Sequence, residues 1–170
     1  MRLRRPLAPS TLVTSSTNAG AAGGIALKHF GKGDTIGFIG CGAIGRVMAR
    51  AAKAVQPDFK GVCYAPDGSH ETFAAEMSAE LGVPFTAMSS AEEMCGASDV
   101  IYTQTPGSTT CVEKSWLKPH ATIICSGSDQ PTKQEIPTDI LKASKYVSDL
   151  TKQTSKVGEL RSAIADGSMT

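Results

Sequence analysis

The chain has 170 residues, 41% of them hydrophobic, which is room for one globular domain with a sizeable core and not for two. Seventeen basic residues (17) against 16 acidic ones leave a formal net charge of +1, so no global field recruits nucleic acid or an anionic membrane, and no apolar run reaches the roughly 18 residues of a membrane span. Cys41, Cys63, Cys95, Cys111 and Cys125 form no C-x-x-C pair and His29, His70 and His120 are dispersed, which argues against a disulfide framework or a metal site and predicts reduced, mostly buried thiols.

Taken in order, the chain opens with Arg2, Arg4 and Arg5, then Lys28 and Lys32, and shows no acidic residue before Asp34. That composition is compatible with an organellar transit segment, while the Ala- and Gly-rich helical pattern that follows favours an ordinary lead-in. The expected location is cytoplasmic, with the mitochondrion or another organelle as the alternative. Residues 1–18 are read as a lead-in or the remnant of another domain, 19–167 as the folded domain and 168–170 as a tail. Ala19 to Phe30 predicts a helix whose small residues allow close packing, and Gly31-Lys32-Gly33 ends it.

The organising stretch is Asp34 to Arg46. Ile36, Phe38 and Ile39 form a short buried-strand pattern, Gly40-x-Gly42-x-x-Gly45 follows at once, and Val47, Met48, Ala51, Ala52 and Val55 recur at helical spacing. Strand, glycine turn and helix in this order make a dinucleotide fingerprint: Gly40 for the tight turn, Gly42 for approach to a diphosphate, Gly45 for close helix packing. The ligand would sit at the helix start near Ala43. The helix stops at Gln56-Pro57.

Further strands are predicted over Lys60–Tyr64, Pro84–Met88, Asp99–Pro106, Pro119–Cys125 and Lys145–Leu150. Helices are predicted over Glu71–Leu81, from a capping box at Ser90–Glu93, over Asp139–Ala143 and over Val157–Ala165. Alternation of this kind implies an α/β fold: a doubly wound parallel sheet in three layers, helices on both faces, as a single domain. Loops leaving the strand C-termini then share one crevice, so Gly40–Gly45, Thr103–Ser108 and Ser126–Glu135 should converge there.

Within that crevice an acidic residue about 20 positions past the glycines ordinarily receives the adenosine ribose. Ala65-Pro66 stand at that place and Asp67 follows; it is either a ribose acceptor or a turn-former, and NAD and NADP remain equal choices. Thr103 and Thr105, with Pro106 after them, offer hydroxyls and amides to a cofactor, or form a hydroxyl-capped turn. Asp129 could hold a substrate ammonium group or accept its proton beside a nicotinamide ring. The alternative is that Asp129 and Glu135 cap the next turn and helix. Asp149 is a further strand-end acid, better suited to capping.

Several segments together resemble the ornithine cyclodeaminase and mu-crystallin family, which includes alanine dehydrogenases and cyclic ketimine reductases. They are Gly20-Ala-Ala-Gly-Gly-Ile-Ala-Leu-Lys28, the Gly40–Gly45 turn, Ser98-Asp-Val-Ile-Tyr-Thr-Gln-Thr-Pro106, Trp116-Leu-Lys-Pro119, Gly127-Ser-Asp-Gln-Pro-Thr-Lys-Gln-Glu135 and Gly158-Glu-Leu160, in order over residues 12–167. The resemblance implies a Rossmann domain joined to a substrate and dimerisation domain, and hydride transfer between NAD or NADP and an amino acid or cyclic imine. It implies Asp129 as the catalytic aspartate, Gly40, Cys41, Gly42, Ala43, Ile44 and Gly45 as the diphosphate loop, and Thr103, Thr105 and Pro106 in the cofactor-facing loop. A homodimer, or a missing substrate domain, is the implied protein partner. Asn18-Ala19 stand where the family usually has Arg-Thr, and a neutral amide cannot make the charge-assisted, bidentate clamp on a carboxylate that arginine makes. The family's substrate lysine has no counterpart. An active oxidoreductase, a cofactor-binding protein without turnover and a fragment are therefore the three expectations.

Overall fold

A computed structural model describes residues 15–107, 109–148 and 150–167. The arginine-rich start, Asp149 and the tail 168–170 lie outside the described residues. Five strands, β1 (Thr35–Ile39), β2 (Lys60–Tyr64), β3 (Phe85–Ala87), β4 (Val100–Thr103) and β5 (Thr122–Cys125), form one sheet in the order β3-β2-β1-β4-β5. Every pairing is parallel, with Phe38 opposite Cys63 on one side and Tyr102 on the other.

Alternation along the strands separates two cores. Ile36, Phe38, Cys63, Val100, Tyr102 and Ile124 face the layer that contains α1 (Ser15–Phe30), α2 (Ala43–Val55) and α3 (Ser69–Leu81). Ile39, Val62, Ile101 and Ile123 face α4 (Ala91–Ala97), α5 (Thr138–Ala143) and α7 (Leu160–Ala165); α6 (Thr151–Thr154) is a single turn between α5 and α7. Burial on both faces explains why these strands read as continuous apolar runs. Phe38 stacks on Tyr102 with centroids 5.4 Å apart and meets Phe73 at 5.8 Å. The buried Tyr102 hydroxyl donates to Gly23 O at 2.9 Å, tying β4 to α1.

At the N-terminal edge Asp99 accepts from the Asp34 and Thr35 amides and pairs with Lys118 at 2.8 Å, so the starts of β1 and β4 share one acceptor. Helix α1 begins at Ser15, ahead of the boundary expected at residue 19. Ser90 caps α4 by accepting from Glu93 N, while the Glu93 carboxylate reaches Ser89 instead of closing the box on Ser90. Residues 145–148 and 150, expected as a final strand, form none. Their apolar residues make no buried alternating face: Tyr146 is half-buried, and Val147 and Leu150 are exposed, so a strand there would gain little from packing.

Candidate functional site

The site is built at the C-terminal edge of the sheet, beginning where β1 ends. Gly40 has φ of +94°, and a Cβ there would lie 2.5 Å from Gln104 O; a side chain is excluded both by conformation and by space. A Cβ on Gly45 would lie 2.5 Å from Gly40 O, so this glycine lets α2 approach the turn. Gly42 is different. Its φ of −81° suits any residue, it is exposed, and an added Cβ would meet nothing within 4 Å. The folded chain itself does not need glycine at 42, and its absent side chain keeps the space before α2 open.

Gly42 caps α2 without any side-chain hydrogen bond, and the first turn closes with Arg46 N donating to Gly42 O at 3.2 Å. The amides of Ala43, Ile44 and Gly45 precede that bond, and no acidic side chain lies in the first turn. Free amides and the positive end of the helix dipole make this an anion-binding geometry. Arg46 buttresses the turn, donating to Cys41 O at 2.6 Å and to Glu76 at 3.0 Å. Cys41 is buried, and its hydrogen bond with the Cys63 thiol and its burial push its pKa up, which keeps the thiol protonated at neutral pH. Ile44 is half-buried against the core.

At the β2 exit, Asp67 Oδ1 accepts from Ser69 Oγ at 2.7 Å and from Ser69 N at 3.1 Å. The Ser69 hydroxyl, then its amide, hold this carboxyl below the ordinary range, so Asp67 is anionic at neutral pH. It both initiates α3 and remains exposed at the rim.

The β4 exit is more deeply set than its sequence suggests. Thr103 is fully buried and donates to Glu135 Oε2 at 2.7 Å. Gln104 donates from Nε2 to Gly40 O at 2.8 Å and from its amide to Ile39 O at 3.0 Å, which joins the β4 exit to the glycine turn. Gln104 Oε1 and Thr105 Oγ1 are buried without a hydrogen-bond partner among the described residues. Pro106 is exposed beside them. From β5, Ser126 N reaches Thr103 O at 2.9 Å and Gly127 N reaches Glu135 Oε2 at 3.1 Å. Asp129 lies beyond, its side chain 66% exposed and ion-paired to Lys133 at 2.8 Å.

The described residues of the three loops thus converge as expected; Ser108 lies outside them. Gln104 and Glu135 are the side chains that join the loops; pattern reading missed Gln104 and named Glu135 only as an alternative cap. Glu135, expected as a cap, caps no helix; it is fully buried because its acceptor atoms face three donors from the β4 and β5 exits. A run of polar residues marks a loop, and nothing local distinguishes the one that turns inward.

Residues 6–169 match the ornithine cyclodeaminase/mu-crystallin family. The chain is 31% identical over 156 residues to alanine dehydrogenase of Archaeoglobus fulgidus, covering 91% of this chain and 48% of that protein. Among solved structures it is similar to the iminosuccinate reductase of Paracoccus denitrificans in complex with NAD+, with a TM-score of 0.87 and 25% identity, covering 94% of this chain and 50% of the other. It is also similar to the Δ1-pyrroline-2-carboxylate reductase of Thermococcus litoralis in complex with NADH and L-proline, with a TM-score of 0.85 and 25% identity over 91% of this chain and 49% of that one. The chain spans about half the length of the curated relatives it matches.

Proposed function

The chain belongs to the ornithine cyclodeaminase/mu-crystallin family, and from that premise we propose that it supplies the nicotinamide-dinucleotide-holding part of an oxidoreductase acting on the C–N bond of an amino acid or cyclic imine. Gly42 carries the reading: the open space before the uncapped start of α2 is what a diphosphate needs and what the fold does not. The Thr105 hydroxyl and the Gln104 side-chain carbonyl, without partners among the described residues, support a polar ligand across the same crevice.

The bound dinucleotide would supply or accept the hydride. Each further step belongs to this chain's residues. The amides of Ala43, Ile44 and Gly45 hold the diphosphate with the α2 dipole behind them. Asp67, anionic at the β2 exit, receives ribose hydroxyls and repels a 2′-phosphate, while Arg46 is already committed to Glu76 and Cys41 O; the site accordingly favours NAD over NADP. Asp129 exchanges Lys133 for a substrate ammonium group and orients its nitrogen. Calorimetric titration with NADH and NADPH tests this: NADH binding stronger than NADPH binding is expected, and absence of binding by both sinks the reading.

Asn18 favours a second reading. Exposed on α1, it offers a neutral amide where the family has a carboxylate-binding arginine, and catalysis needs substrate fixed in a near-attack geometry. A change of NADH fluorescence on binding, with no turnover of ornithine, alanine or a cyclic imine, would favour holding without reaction; sustained turnover eliminates it.

A further inference from the structure

Glu135 is a fully buried carboxylate whose hydrogen-bond donors among the described residues are all neutral groups. Its Oε2 accepts from Thr103 Oγ1 at 2.7 Å and from Gly127 N at 3.1 Å, and its Oε1 accepts from Thr105 N. A Cβ on Gly127 would overlap this carboxylate, so the β5 exit comes close only because residue 127 has no side chain. The backbone of Glu135 is fixed in turn: its amide donates to Glu159 Oε1 at 3.0 Å and its carbonyl accepts from Cys111 N at 2.9 Å. Burying a carboxylate is costly unless its oxygens are satisfied, and a core that needed only filling would be served by an apolar residue. The carboxylate adds geometry: one rigid group sets the exits of β4 and β5 relative to each other and turns the Thr105 amide inward.

We infer that Glu135 is a positioning residue for the nicotinamide half of the dinucleotide, acting through Thr105 and Gly127 and not by touching the ligand. This rests on the dinucleotide reading above. In a doubly wound sheet the adenosine ribose lies at the β2 exit and the ligand crosses the crevice to the opposite strands, so Glu135 organises the far side while the glycine turn holds the near side. Gln104, bridging Gly40 O to the β4 exit, is where the two sides meet.

The experiment compares two probes on the intact chain: NADH, which spans both sides, and ADP-ribose, which occupies only the adenosine and diphosphate side. In Glu135→Gln an amide group faces one of three donors and leaves a buried group unsatisfied, so NADH affinity should fall about tenfold with ADP-ribose affinity unchanged. A merely structural role lowers the melting temperature and moves both affinities together, or neither, and either result overturns the inference. Wild-type chain that binds neither probe overturns the dinucleotide reading itself, a distinct outcome. Should circular dichroism show Glu135→Gln unfolded, Thr103→Val removes a single donor and is read by the same ratio: a selective loss of about threefold for NADH is expected, and an equal loss for both probes overturns the inference.

Discussion

Three glycines in one motif do three physically different things, and substitution separates them. Gly40→Ala forces a left-handed φ on alanine and drives its Cβ onto Gln104 O; a loss of about 1–3 kcal/mol or more is expected in chemical denaturation. Gly42→Ala meets no atom of the described residues within 4 Å, so its stability should stay within about 0.5 kcal/mol of wild type while NADH affinity in a fluorescence titration drops sharply. Equal NADH affinity in Gly42→Ala and wild type would remove the main support for the diphosphate site. A second residue-scale prediction concerns Glu159, whose pKa burial raises above 4.5, with the Glu135 charge adding to it. The folded state therefore keeps this proton when the unfolded chain has lost it. Between pH 4.5 and the raised value the folded form binds more protons, and stability falls as pH rises. The contribution is complete below the unfolded pKa and gone above the folded one. Urea midpoints measured from acid towards neutral pH should show this decline, and Glu159→Gln should flatten it; an unchanged slope in the variant would assign the effect elsewhere.

Between elements, α1 lies close against α2 and β4, where Gly23 lies over Met48 and Tyr102 and Gly24 lies over Ala51 and Val55. A Cβ at 23 would overlap Met48 Sδ and come within 3.1 Å of the Tyr102 ring, so Gly23→Ala should cost about 1–3 kcal/mol by overpacking. At 24 the nearest atom would be 3.4 Å away, ordinary contact, and Gly24→Ala should instead gain up to about 1 kcal/mol of helix propensity. Opposite shifts in melting temperature for two adjacent glycines would verify the packing directly. This small-residue pattern was legible in the sequence as a helix built for close approach, and the apolar runs of β1, β2 and β4 were legible for a similar reason: each is a local signal. Lys145–Leu150 misled because a few apolar residues suggest a strand, whereas a strand needs a face with something to cover it, which Val147, 54% exposed, does not have. The turn-forming role of Asp67 was legible, but the burial of Thr103 was not. It depends on Glu135, a partner from beyond β5.

Across the whole molecule, the closing segment is bound into the fold by a carboxylate on a carboxylate's backbone. Glu159 accepts from Glu135 N and Ile136 N, with Ile136 N at 2.9 Å, and from Gln134 Nε2. Ala163 buries beside Ile136 and Leu141, and Leu160 is buried as well. Glu135 in turn holds the exits of β4 and β5, so the order of the crevice depends on residues near the far end of the chain. No sequence period reports such a relay, because each link joins segments that approach only once the sheet has formed. Removing residues 151–170 should therefore reach the site. It strands the Glu135 and Ile136 amides at about 1–3 kcal/mol each and exposes the surface under Leu160, about 1.5–3 kcal/mol more. The expected result is a chain that unfolds at markedly lower urea and has lost NADH affinity even where circular dichroism still reports a folded sheet. If the shortened chain instead binds NADH as well as the full one, Glu135 holds its position without Glu159, and the relay ends at the β5 loop.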